Sequence, residues 1–146
     1  MTRRSPRPRT AYAAFRAQHT RWNDTDRYGH LYQGVYAELF DGALNDWLLD
    51  HDMLSLTGGE PCIVVAENGF SYFAELSYPD RPEIGIRLER LGGASATIAV
   101  GMFRPGSDEE CAQGFFTVVN VDPVSHRPKP WADAHRAALQ ELLRAE

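Results

Sequence analysis

Several features that would settle a protein's class at once are missing or scarce here. Two cysteines in 146 residues, Cys62 and Cys111, give no disulfide framework. Both sit in apolar, strand-like runs and read as small buried side chains in a reducing compartment. No run approaches the ~20 apolar residues that cross a bilayer. Arg3-Arg4 begins like an export signal, but Ser5-Pro6-Arg7-Pro8-Arg9 follows where an apolar core would be needed. The chain is therefore expected to be cytoplasmic, with no membrane contact. No repeat and no low-complexity stretch follows residue 10. G-x-S-x-G, G-x-x-x-x-G-K and G-x-G-x-x-G are all absent, so no motif points to a serine-elbow hydrolase, a P-loop enzyme or a dinucleotide-binding fold. His19, His51, His126 and His135 show no metal-ligand spacing.

An excess of positive charge is missing too. The net charge is −5, and setting aside the +4 of Arg3, Arg4, Arg7 and Arg9 leaves a body near −9. Such a body argues against general nucleic-acid binding. Residues 1–11 read as a flexible basic tail, and residues 12–146 as one domain. Apolar residues at 43% and charged residues at 24% fit a globular chain. A chain of this length buries roughly 70% of its unfolded surface on folding, so it needs no covalent staples.

The periodicity changes along the chain. Residues 12–22 read as a first strand, followed by a polar loop over residues 23–29. From 33 to 50 the apolar residues Tyr36, Leu39, Phe40, Ala43, Trp47 and Leu48 recur at three- and four-residue spacing, which predicts an amphipathic helix. Gly42 inside it costs ~1 kcal/mol relative to Ala, and close backbone packing against a flat surface is the expected compensation. Residues 62–73, 83–91, 95–104 and 111–122 read as four more strands, with Gly92-Gly93 and the Pro105-Gly106 turn punctuating the last two gaps. A short final helix is expected from Trp131. Consecutive strands on short turns favour antiparallel pairing, and the long helix must bury its stripe against the sheet. The expectation is α+β: a five-stranded antiparallel sheet wrapped around one long central helix.

The chemistry concentrates in the run from Trp22 to Tyr36. Asp24, Asp26, Gly29 and His30 come immediately before the helix. No Ser, Thr, Asp or Asn stands at the capping position near Tyr32 or Gln33, so the first N–H groups lack a side-chain acceptor. Free amides at the positive end of a helix dipole are good donors to a developing oxyanion. A nearby carboxylate can serve as nucleophile or general base. Those are the parts needed to hydrolyse an activated acyl group. Asp24-x-Asp26-x-x-Gly29 also begins like a calcium loop, but Tyr28 and Val35 stand where oxygen ligands would be required. No metal is expected.

This segment resembles the signature of the 4-hydroxybenzoyl-CoA thioesterase-like proteins of the hotdog fold: Asp24, Asp26, Gly29, His30, Tyr36, Phe40 and Asp41 match. Later matches are Ser77-Tyr78-Pro79-Asp80, Leu91-Gly92-Gly93-Ala94-Ser95, and Val119-Asn120-Val121-Asp122 before a proline-rich stretch. The resemblance covers about residues 12–132. It implies an acyl-CoA thioesterase with Asp26 as catalytic carboxylate, the Gln33 or Gly34 N–H as carbonyl donor, and His30 beside them. It places Asp24, Tyr28, Tyr32 and Tyr36 about the substrate, and Arg87, Arg90, Arg127 and Lys129 near the coenzyme A phosphates. It also implies a homodimer or homotetramer. No cofactor is expected, since coenzyme A arrives as part of the substrate. Two alternatives stay open: a hotdog protein that binds acyl-CoA without turnover, and a hotdog dehydratase built on a His–carboxylate pair.

Overall fold

A computed structural model describes residues 4–143; Arg3, part of the expected basic tail, lies outside them. In chain order the elements are β1 (Ala14–Ala17), α1 (Gln33–Asp50), β2 (Cys62–Tyr72), β3 (Glu83–Leu91), β4 (Ser95–Phe103), β5 (Ala112–Val121) and α2 (Asp133–Gln140). All strands join one antiparallel sheet in the spatial order β1-β3-β4-β5-β2. This is the expected hotdog arrangement.

The helix stripe explains the fold. Tyr36, Leu39, Phe40, Ala43, Leu44, Trp47 and Leu48 are buried and share one core with Ile84, Ile86, Ile98, Val100 and Phe116 of the sheet. Each large side chain removed from water stabilises by about 1.5–3 kcal/mol. Phe40 stacks on Phe70 at 5.5 Å, and Phe70 meets Phe116 edge-on at 5.7 Å. Gly42 does sit against a close neighbour, but not a flat one. A Cβ there would lie 2.9 Å from the Gln18 side-chain oxygen, while the Gln18 amide donates to Asp46 at 2.9 Å.

Two expectations about the amino-terminal region need correction. The first strand runs only over Ala14–Ala17, not over 12–22. Its partner β3 begins at Glu83, and Pro82 before it has no N–H to continue the ladder. The Pro82 carbonyl takes only the Gln18 amide, at 2.9 Å. The chain then enters a short 3-10 turn at Trp22–Asp24. Residues 7–11, read from composition as a flexible tail, are fastened down. The Arg7 amide donates to Glu110 at 2.9 Å, and Arg9 donates to Glu83 at 2.7 Å. Tyr12 beyond them is 1% exposed. Its ring lies over Gly85 and Gly101, where any Cβ would overlap it.

β2 is the edge strand opposite β1. Residues 64–68 are exposed along it, whereas β4 is almost wholly buried. Long edge strands with open backbone groups invite pairing.

Candidate active site

The segment ahead of α1 folds as a small hairpin. The Tyr32 amide donates to the Asp24 carbonyl at 3.0 Å, Thr25 bridges Leu31, and the Asp26 amide donates to the His30 carbonyl at 2.7 Å. Gly29 turns the tip at φ 82°, a left-handed conformation that a residue with a Cβ resists. The Asp26 carboxylate closes the tip: its Oδ1 accepts from the Tyr28 amide at 2.8 Å and the His30 amide at 3.1 Å. Its Oδ2 has no hydrogen-bond partner among the described residues. One oxygen thus fixes the group while the other remains available for chemistry.

The base of this hairpin is the start of α1. Tyr32 occupies the N-cap, and no side chain caps the helix. The Val35 amide turns back to the Tyr32 carbonyl at 2.9 Å. The Gln33 and Gly34 amides come too early in the helix for an intrahelical acceptor. They stand at its positive end, as the sequence implied.

The two aspartates differ sharply. Asp24 is 3% exposed; its carboxylate accepts from the Arg21 amide at 2.8 Å and from two guanidinium nitrogens at 3.1 and 2.8 Å. Those bonds hold its pKa below the ordinary carboxylate value, the Arg21 side chain contributing most. Asp24 therefore secures the hairpin base and has no free oxygen for a substrate. Tyr36 is likewise committed. It is 5% exposed, its hydroxyl accepts the Leu76 amide at 3.0 Å, and burial raises its pKa. Tyr28 and Tyr32 are exposed at 71% and 54%, open to solvent around the hairpin.

His30 does not take Asp26 as its carboxylate partner. Its Nε2 lies 2.9 Å from Glu75 Oε2, a residue of the segment after β2 that sequence reading missed. Nothing in local spacing signals a partner so distant along the chain. Glu75 precedes Leu76, whose carbonyl accepts the Leu31 amide at 3.0 Å. Tyr72, also unforeseen, meets Tyr36 edge-on at 5.2 Å.

The proposed phosphate ligands scatter. Arg87 is 5% exposed, donates to the Ala11 carbonyl at 3.2 Å, and pairs with Glu89. It secures the amino-terminal segment and is not a surface cation. Arg90 and Arg127 are exposed. Lys129 pairs with Glu60 in a cavity of about 400 Å3 near the carboxyl end of α1, which Asp52, Asn120 and His135 also line. A second cleft, of about 350 Å3, opens between α1 and β2; Ala37, Glu38 and Asp41 line one side and Val65, Asn68 and Phe70 the other.

Comparison with known proteins agrees with this architecture. The chain matches the thioesterase-like superfamily over residues 20–139. The crystal structure of protein PA5185 from Pseudomonas aeruginosa strain PAO1 is similar at 36% identity and a TM-score of 0.90, covering 94% of this chain and 96% of that one. A 1,4-dihydroxy-2-naphthoyl-CoA thioesterase from Synechocystis shares the fold at 16% identity and a TM-score of 0.76, covering 88% and 96%. So does a thioesterase from Thermus thermophilus complexed with coenzyme A and zinc, at 23% identity and a TM-score of 0.75, covering 90% and 95%. None of the curated proteins matches in sequence. The chain belongs to the thioesterase-like superfamily, and it is by that membership a thioester hydrolase.

Proposed function

We propose that this protein hydrolyses an acyl-CoA to the free acid and coenzyme A, with Asp26 as the reacting carboxylate. The observation that carries the reading is a carboxylate held through one oxygen on a closed hairpin whose base is an uncapped helix start. The names of two proteins with this fold, a naphthoyl-CoA thioesterase and a coenzyme A complex, favour a coenzyme A thioester as the class of substrate.

In this mechanism the thioester carbonyl oxygen accepts from the Gln33 or Gly34 N–H, whose dipole stabilises the developing oxyanion. Asp26 Oδ2 then follows one of two routes. It attacks the carbonyl carbon and expels the thiolate, and water hydrolyses the resulting anhydride. Alternatively it takes a proton from a water that attacks the same carbon. Both routes end in carboxylic acid and thiol. The exposed cations Arg90, Arg127 and Lys129 suit coenzyme A phosphates, with Lys129 leaving Glu60 to do so.

A homodimer completes the reading. The open β2 edge, with Val64 43% and Val65 46% exposed, suits pairing with the same strand of a second copy. That pairing would cover the cleft between α1 and β2. The His30–Glu75 pair supports a second reading, hydration of an enoyl thioester, which turnover of crotonyl-CoA without thiol release would reveal. The main test is thiol release across short, long and aromatic acyl-CoAs. Release from at least one class is expected, and release from none would overturn the proposal.

A further inference from the structure

The hairpin tip is braced internally but poorly anchored. Asp26, Gly29 and His30 bond to one another through the Asp26 carbonyl, amide and carboxylate, so residues 26–30 form one internally bonded piece. Arg27, Tyr28 and Gly29 are exposed, and no large side chain at the tip reaches the core. Among the described residues, the His30–Glu75 contact at 2.9 Å is the one side-chain tie from this piece to another part of the chain.

Glu75 stands on firm ground. Its neighbour Leu76 is fully buried. The Leu76 amide donates to Tyr36 on α1, and its carbonyl accepts from Leu31. We propose that Glu75 is a positioning residue: through the His30 imidazole it holds the loop that presents Asp26 to the start of α1. This inference rests on the assignment of Asp26 given above.

The chemistry follows from the linkage. The His30 main chain both donates to the Asp26 carboxylate and accepts from the Asp26 amide. A side-chain tether on His30 therefore limits the travel of the carboxylate itself. Reaction rates fall steeply when a reacting group moves by a fraction of an ångström. Substrate binding relies on other groups, namely the α1 amides and the surface cations. Loss of the tether should therefore lower kcat and spare KM.

The test combines kinetics with amide hydrogen exchange on the intact protein. Glu75→Ala is expected to lower kcat about fivefold, the effect of losing one partly exposed hydrogen bond, with KM within about twofold and an unchanged thermal midpoint. Glu75→Gln, whose carbonyl oxygen still accepts from Nε2–H, is expected to restore most of kcat. Exchange at the His30 amide should quicken in Glu75→Ala and not in Glu75→Gln. Wild-type kcat in Glu75→Ala, or unchanged exchange at His30, would overturn the proposal. Asp26→Asn run alongside keeps the two ideas apart. Its full activity would sink the assignment of Asp26, while the exchange measurement would still report whether Glu75 holds the loop.

Discussion

Replacing Tyr12 by Phe removes one hydroxyl and leaves the ring in place over Gly85 and Gly101. The hydroxyl donates to Glu110 Oε2 at 2.5 Å. Glu110 is 2% exposed, and its other donors are the Arg7 amide and the Gln113 side chain. Losing one hydrogen bond to a buried carboxylate costs about 1.5–3 kcal/mol. At about 4 °C per kcal/mol for a domain of this size, the midpoint should fall by about 6–12 °C. The loss should also depend on pH. Burial raises the Glu110 pKa above its ordinary 4.5, against the lowering effect of its hydrogen bonds, that from Tyr12 first among them. Its folded pKa exceeds its unfolded one, so the stability gained by protonation is present below 4.5 and is lost as pH rises through the raised value. Without the Tyr12 donor that value climbs further. The variant's deficit should thus be small near pH 4.5 and larger at pH 8. Thermal melts followed by circular dichroism at both pH values provide the assay. An unchanged midpoint at both, or a deficit larger at the acid end, would refute the reasoning.

Other substitutions probe separate parts of the molecule. Gly101→Ala places a methyl group against the Tyr12 hydroxyl and the Glu110 carboxylate; overpacking of this kind costs about 1–3 kcal/mol, measurable by urea denaturation. Trp47→Ala empties the 2%-exposed centre of the helix stripe and removes the ring stacked on His51 at 4.1 Å. The expected loss is about 3–5 kcal/mol, and a loss below about 1 would contradict the packing described. Burial pushes the Cys111 thiol up to about 11, so it should resist a disulfide reagent at pH 8 in the folded protein and react once urea unfolds the chain.

Most of the fold was legible because the hydrophobic period is strong where elements are long. The helix over 33–50 and the strands over 62–73, 83–91, 95–104 and 111–122 lie within two residues of their observed bounds, each carried by its own apolar stripe. β1 was overextended because its end is set by Pro82, just ahead of the partner strand β3, which the local pattern does not report. The anchoring of residues 7–11 was illegible for a related reason. Arg7 and Arg9 look like a solvated tail until Glu110 and Glu83 arrive from distant segments. The same distinction divides the site. The missing cap at Tyr32 is a local property and was readable. The commitment of Asp24 to Arg21, three residues away, depends on side-chain direction, and that of Tyr36 to Leu76, of Arg87 to Ala11 and of His30 to Glu75 depends on long-range contact; spacing along the chain encodes neither.

Asp26→Asn keeps the shape of the hairpin, since an amide oxygen can still accept the Tyr28 and His30 amides, and removes only the charge. Thiol release from the best acyl-CoA substrate, compared at saturation between this variant and the wild-type protein with matched thermal midpoints, is the most direct measurement. A fall in kcat of about a thousandfold, equivalent to about 4 kcal/mol of barrier, is expected if this carboxylate reacts with the thioester or its attacking water. Activity within a few-fold of wild type would contradict the account.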